Sequence, residues 1–74
     1  MRVPTKKAWL GPGEPRCTLC DGRPREYFVD GQLSHNRGWA LFCSVCWKMF
    51  GCRKLGTGFG QKYNARWPYL KLEG

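Results

Sequence analysis

The sequence predicts a small, metal-stapled α+β domain: a treble-clef finger, zinc-ribbon-like, with one β-hairpin and one short helix. Three observations lead there. Cys17-Thr18-Leu19-Cys20 and Cys43-Ser44-Val45-Cys46 are two CxxC pairs with 22 residues between them, and each such knuckle offers two thiolates to one metal ion from a single tight turn. The chain has 74 residues, and below about 80 residues a hydrophobic core rarely suffices without a staple. Apolar spacing also changes along the chain, from strand-like before Cys43 to helical after Ser44.

Cys17, Cys20, Cys43 and Cys46 are therefore the expected ligands of one Zn2+. Four thiolates complete a tetrahedral shell and leave no position for an activated water, so the expected ion is structural and its binding inseparable from folding. Disulfides are the rival reading. The start, Met1-Arg2-Val3-Pro4-Thr5-Lys6-Lys7, does not resemble a secretory signal, and Ala8-Trp9-Leu10 is too short for an apolar signal core. The expectation is a cytoplasmic chain whose thiols stay reduced.

Three segments follow from composition. Residues 1–16 form a basic, Pro/Gly-rich arm without helical or alternating period. Within it Trp9 and Leu10 either anchor a partner or dock onto the finger, and a domain this small is expected to recruit them. Residues 17–55 hold the four-cysteine finger. In its first knuckle Gly22 is expected to take the positive φ that turns backbone amides towards the sulfurs. Glu26-Tyr27-Phe28-Val29-Asp30 is rich in β-formers and Asp30-Gly31 is a turn signal. Gln32 to Gly38 is a polar connection, and Trp39-Ala40-Leu41-Phe42 is the return strand that delivers the second knuckle. Val45, Met49 and Phe50 then lie at helical spacing, with Ser44 as the expected N-cap and Gly51 near the end. A three-stranded zinc ribbon replaces the treble clef if Trp47 to Phe50 is extended.

Residues 56–74 are a Gly-rich, basic and aromatic tail. Gly56-Thr57-Gly58-Phe59-Gly60-Gln61-Lys62-Tyr63 lacks the spacing of a phosphate-binding P-loop. Its alternate glycines suit a flexible connector, a backbone approach to phosphate, or a tight fold across a neighbour. Pro68 confines Arg66-Trp67-Pro68-Tyr69-Leu70-Lys71-Leu72 to an edge strand or an extended tail.

Charge points to a polyanionic partner. Thirteen Lys and Arg stand against five Asp and Glu, a formal net charge of +8, which a zinc-tetrathiolate centre lowers to about +6. No acidic residue lies between Asp30 and Glu73. That stretch contributes Arg37, Lys48, Arg53, Lys54, Lys62, Arg66 and Lys71 as candidate phosphate contacts, and Trp67 and Tyr69 as candidate stacking platforms for unpaired bases. A solvated basic face that only confers solubility is the plainer alternative. His35 is the single histidine; with four thiolates already serving zinc it reads as a loop residue. Cys52 reads as a small hydrophobe outside the ligand set.

Two resemblances arise from these residues. The run from Phe28 to Cys46 resembles the treble-clef core of the phage recombination endonuclease VII family, with Trp39-Ala40 inserted after Gly38. Asp30 takes the place of that family's catalytic-loop Asp. Gly31 stands where the general-base His belongs, Leu33 where the second His belongs, and Trp47 where a metal-ligating Asn follows the last Cys. The likeness implies a shared scaffold without the nuclease. Across residues 17–63 the chain is also similar to a group of short bacteriophage zinc-finger proteins, through Trp39-Ala40, the two knuckles, Gly51 and the Gly56-to-Tyr63 run. That likeness implies a viral origin and transfers no activity. A weaker one, Phe42-Cys43-Ser44 with Cys46, is to FCS-type fingers.

The expected function is accordingly non-catalytic: a phage-type finger that grips nucleic acid through its basic and aromatic surface. The alternative is a viral inhibitor or adaptor that fills an acidic groove on a host protein, such as RNA polymerase, a nuclease or a defence complex. It would use Trp9, Trp39 or Trp47 as its anchor. Neither reading involves a membrane or a small-molecule substrate.

Overall fold

Tyr27-Phe28-Val29-Asp30-Gly31-Gln32 forms β1 (Tyr27–Gln32), and every other strand is placed relative to it. In the computed structural model, which describes residues 8–9, 11, 13–34 and 38–74, the other elements are β2 (Trp39–Cys43), α1 (Ser44–Phe50), β3 (Gly60–Asn64) and β4 (Lys71–Glu73). The strands make one antiparallel sheet in the order β2-β1-β3-β4. The described residues thus form a small α+β fold with one sheet and one helix. Among the described residues no helix is long and apolar enough to cross a membrane.

Register assigns the side chains to two faces. Val29 lies opposite Phe42 on β2 and Gly31 opposite Ala40, so these residues share the face that carries α1. There Val29, Ala40, Phe42, Trp47, Cys17 and Cys46 form the buried cluster, with Phe42 and Trp47 rings 5.2 Å apart. The opposite face is aromatic. Phe28 is wholly buried, stacks on its β3 partner Tyr63 at 5.4 Å, and meets the edge of Trp9 at 5.4 Å and of Tyr69 at 6.1 Å. Trp9 donates its backbone N–H to the Tyr69 carbonyl at 3.0 Å and Ala8 bridges Leu70, so this part of the arm docks on the finger. Leu10, Arg2, Lys6 and Lys7 lie outside the described residues.

Several local expectations are revised. Asp30-Gly31 is no turn, because β1 runs through it and the chain reverses between Leu33 and Gly38, whose backbones bond at 2.9 Å. Gly31 is instead a close-approach site: a Cβ there would sit 3.0 Å from Trp47 Cζ3 and 3.1 Å from the Phe59 carbonyl oxygen. In the first knuckle the left-handed residue is Asp21, at φ 58°, not Gly22; aspartate tolerates that region, and Gly22 serves by leaving room beside Cys20, whose sulfur a Cβ would meet at 3.2 Å. Cys43, extended at φ −72° and ψ 169°, occupies the N-cap position in place of Ser44, and no side chain caps the helix. As a knuckle residue Cys43 is drawn towards the other sulfurs, which leaves Ser44 as the first helical residue.

Residues 44–50 are helical, so the extended segment on which a zinc ribbon depended does not occur. Gly51 ends the helix as expected. The Gly56-to-Gly60 run is a closed turn, with Gly56 and Gly60 exchanging backbone bonds at 2.7 and 3.0 Å, and Gln32 fastening it through the Phe59 carbonyl at 2.9 Å. Its glycines serve a tight fold across a neighbour. β3, which follows directly, has no counterpart in the sequence reading, whereas β4 is an edge strand as Pro68 required.

The indole of Trp47 lies over Gly51 so closely that an added Cβ would fall 2.0 Å from its Cε3. Gly51→Ala is expected to displace Trp47 from Phe42 and destabilise the metal-loaded protein by about 1–3 kcal/mol, the usual range for overpacking. Denaturant unfolding followed by tryptophan fluorescence measures it, and a change below about 0.5 kcal/mol, the usual surface range, would contradict this packing role.

Candidate metal centre and basic groove

Four cysteine sulfurs converge where the first knuckle meets the β2–α1 junction. The Sγ atoms of Cys17, Cys20, Cys43 and Cys46 all lie within 4.8 Å of one another. Each partner arrives by a separate local device. Cys17 donates its N–H to the Gly22 carbonyl and accepts at its own carbonyl from Asp21, both at 2.9 Å, which closes the knuckle. Thr18 ties that knuckle to β2, its N–H donating to the Leu41 carbonyl at 2.8 Å and its Oγ1 accepting from the Leu41 N–H at 3.2 Å. Cys43 ends β2, and one helical turn of α1 brings Cys46 beside it.

The distances fit a tetrahedral metal. With metal–sulfur bonds of about 2.3 Å, adjacent sulfurs of a zinc tetrathiolate stand about 3.8 Å apart, and Cys20 Sγ and Cys43 Sγ are 3.8 Å apart. None of the cysteines is in a disulfide. The cluster can hold one metal ion, and four soft sulfurs in this arrangement suit zinc or iron. Cys52 is not among them; it packs at the margin of the core with its Sγ 3.8 Å from the Lys54 and Phe59 carbonyl oxygens.

Electrostatics divides the four thiols. Burial works against ionisation of Cys17, but backbone N–H groups of Cys43, Cys20 and Leu19 and the Cys46 thiol donate to its sulfur, and together they hold it down to about 6. Cys20 accepts from the Gly22 N–H, yet the neighbouring sulfurs of Cys17 and Cys43 leave its thiol above the ordinary value. Burial, then the sulfurs of Cys17, Cys43 and Cys20, drive the Cys46 thiol strongly up. A second thiolate is therefore opposed by the first, and a bound cation reverses that opposition because its charge deprotonates a coordinating thiol outright.

The basic residues separate into distinct places. Lys48, on α1, lines a groove of about 320 Å³ whose walls also include Arg23, Pro24, Arg25, Tyr27 and Val45. Lys62 projects from β3 over the Tyr27 ring, its Nζ 4.2 Å from the centroid. Arg53 and Lys54 follow the helix, Lys54 lying 5.4 Å from the Phe59 ring centroid. Arg66 and Trp67 occupy the turn before β4, where Arg66 donates its N–H to Asn64 Oδ1 at 2.9 Å, and Trp67 is 81% exposed. Tyr69 is half-buried against Trp9 and Phe28, and Lys71 opens β4 opposite Tyr63. Arg37 and His35 lie outside the described residues.

Arg23 and Arg25 join the groove lining from outside the acid-free run, standing between Asp21 and Glu26; their proximity to a CxxC knuckle is the one sequence signal that marks them. Comparisons with family models, curated proteins and solved structures find no match.

Metal loading is expected to release protons from Cys20 and Cys46, so affinity rises with pH through neutrality. It falls steeply as pH drops through about 6, where Cys17 takes up its proton as well. Competition against a chromogenic chelator, repeated across pH, checks the sign. Cys46→Ser should weaken zinc binding by at least about a hundredfold, whereas Cys52→Ser should leave one ion per chain bound with unchanged affinity. Equal losses in the two variants would overturn the ligand assignment.

Proposed function

We propose that this chain is a non-catalytic treble-clef zinc finger that binds nucleic acid through a basic, aromatic surface. The order of its parts supports the scaffold: a cysteine knuckle, a β-hairpin, and a second cysteine pair at the start of a helix. Four sulfurs fill the coordination shell of such an ion, which makes it a fastening. Gly31 and Trp47 stand where the endonuclease VII likeness would require a base and a metal ligand, and here they pack against each other. Asp30 accepts a hydrogen bond from the Trp39 indole.

One observation carries the nucleic-acid reading. The two ion pairs among the described residues join Arg16 to Asp21 and Arg23 to Glu14, so Lys48, Arg53, Lys54, Lys62, Arg66 and Lys71 have no ion-pair partner there. A surface carrying this much unanswered positive charge gains most from a polyanion, because each neutralised phosphate releases condensed counterions. Trp67 adds an exposed platform of the kind on which bases stack.

A second reading, an acidic protein surface as partner, draws on α1. Val45 is 60% and Met49 59% exposed, one helical turn apart, with Lys48 beside them. Of the tryptophans weighed as anchors, Trp47 is buried and Trp9 is engaged with Phe28 and Tyr69, which leaves Trp39 for that role, together with Trp67.

The zinc-loaded protein should shift a labelled oligonucleotide at low salt, with log affinity falling linearly in log salt and a slope of about −0.7 per phosphate contacted on a single strand. Trp67→Ala should weaken binding by about fivefold to a hundredfold, in keeping with about 1–3 kcal/mol per stacked base. An absence of any shift at low salt would overturn nucleic acid as the partner. A stoichiometric protein partner recovered after nuclease treatment would favour the second reading.

A further inference from the structure

The groove between the residue 23–27 segment and α1 has features that an undifferentiated basic face lacks. It is concave, and its volume of about 320 Å³ is near the lower end of small-ligand sites, which run from roughly 300 to 1,000 Å³. Its lining combines cations with apolar side chains: Arg25 and Lys48 occur there together with Pro24, Tyr27 and Val45. Glu26 is the one acid in its lining. Arg23 is held by Glu14 at 2.7 Å, whereas Arg25 and Lys48 have no ion-pair partner among the described residues. Lys62 adds a further cation over the Tyr27 ring.

Resting on the nucleic-acid reading, we propose that this groove seats one unpaired nucleotide of a single strand. Arg25 and Lys48 hold its phosphate, and Tyr27 and Val45 take the sugar and base. The shape discriminates between nucleic-acid forms. A duplex presents phosphates on a convex surface with its bases stacked inside, so it meets the cations at the rim and leaves the apolar floor uncovered. An unpaired nucleotide presents both a charge and an apolar face to one concavity, the combination that single-strand binders exploit. Cys43 and Ser44 form part of the wall, so the groove is assembled at the metal centre, and binding of a single strand follows metal loading.

The test compares a fluorescent thymidine oligonucleotide of about 12 nucleotides with a duplex of the same length, by anisotropy, on the zinc-loaded protein and on an R25A/K48A variant. Both side chains are exposed, and zinc stoichiometry confirms that the variant is folded. The expected result is at least a tenfold preference for the single strand in the parent. In the variant the preference falls to within about twofold while duplex binding changes less. Amide shifts on adding the oligonucleotide should centre on residues 23–27 and 43–48. Equal affinity for both forms in the parent, a preference that survives R25A/K48A, or shifts centred elsewhere would each overturn the groove while leaving nucleic-acid binding intact. Displacement of the oligonucleotide by polyglutamate at equal charge would assign the groove to an acidic protein and overturn it too. Failure to bind either form removes the nucleic-acid reading itself.

Discussion

Four thiols held within 4.8 Å of one another are an unfavourable arrangement on their own, and the fold brings them together all the same. One can ionise readily, and each further thiolate meets the charge of the first in a partly buried site. A cation among the sulfurs would remove that opposition. Everything near the cluster is arranged to converge on that point: Thr18 binds both polar backbone groups of Leu41, Gly22 leaves room beside Cys20, and Cys43 gives its backbone to the start of α1. Few residues on the helix-bearing face are fully buried, and a core this small is of the kind that a metal staple would reinforce.

The sheet separates that centre from a second, metal-free source of cohesion. On one face Val29 and Phe42 pack against Trp47; on the other Phe28 gathers Tyr63, Trp9 and Tyr69. Alternation along β1 makes the division unavoidable, since successive side chains point to opposite sides. The candidate binding residues inherit it. The 23–27 segment lies towards the sulfur cluster and lines a groove with Lys48, Lys62 sits over the Tyr27 ring, and Tyr69 is committed to the aromatic face.

The cysteine cluster and the helix were readable in the sequence because local spacing encodes them: two cysteines three apart make a knuckle wherever the chain places it, and Val45, Met49 and Phe50 repeat on the helical period. Features set by distant partners were hidden. Gly31 followed by polar residues looks like a turn, yet its small size answers to Trp47 and Phe59, which are many residues away. β3 escaped notice because Gly60-Gln61-Lys62-Tyr63-Asn64 has little strand character of its own; it is a strand because β1 offers it a free edge and Phe28 offers Tyr63 a ring. Tyr69 looked free to stack on a base until the structure showed Trp9 beside it. Arg25 entered the candidate groove only because the fold brings its segment to the same lining as Lys48.

The contact between Trp9 and Tyr69 closes a loop of about 60 residues, and its cost can be set against the metal clip. A metal shared by the four sulfurs would join Cys17 to Cys46 and shorten the path from Trp9 to Tyr69 by about half, and because closure entropy grows only with the logarithm of length this would ease docking of the arm by about 0.6 kcal/mol. Chain connectivity therefore transmits almost nothing from the metal to the arm. What the arm senses is whether β1 and β3 present Phe28 and Tyr63 as a platform, so Trp9 is a reporter of sheet integrity more than of the sulfur cluster.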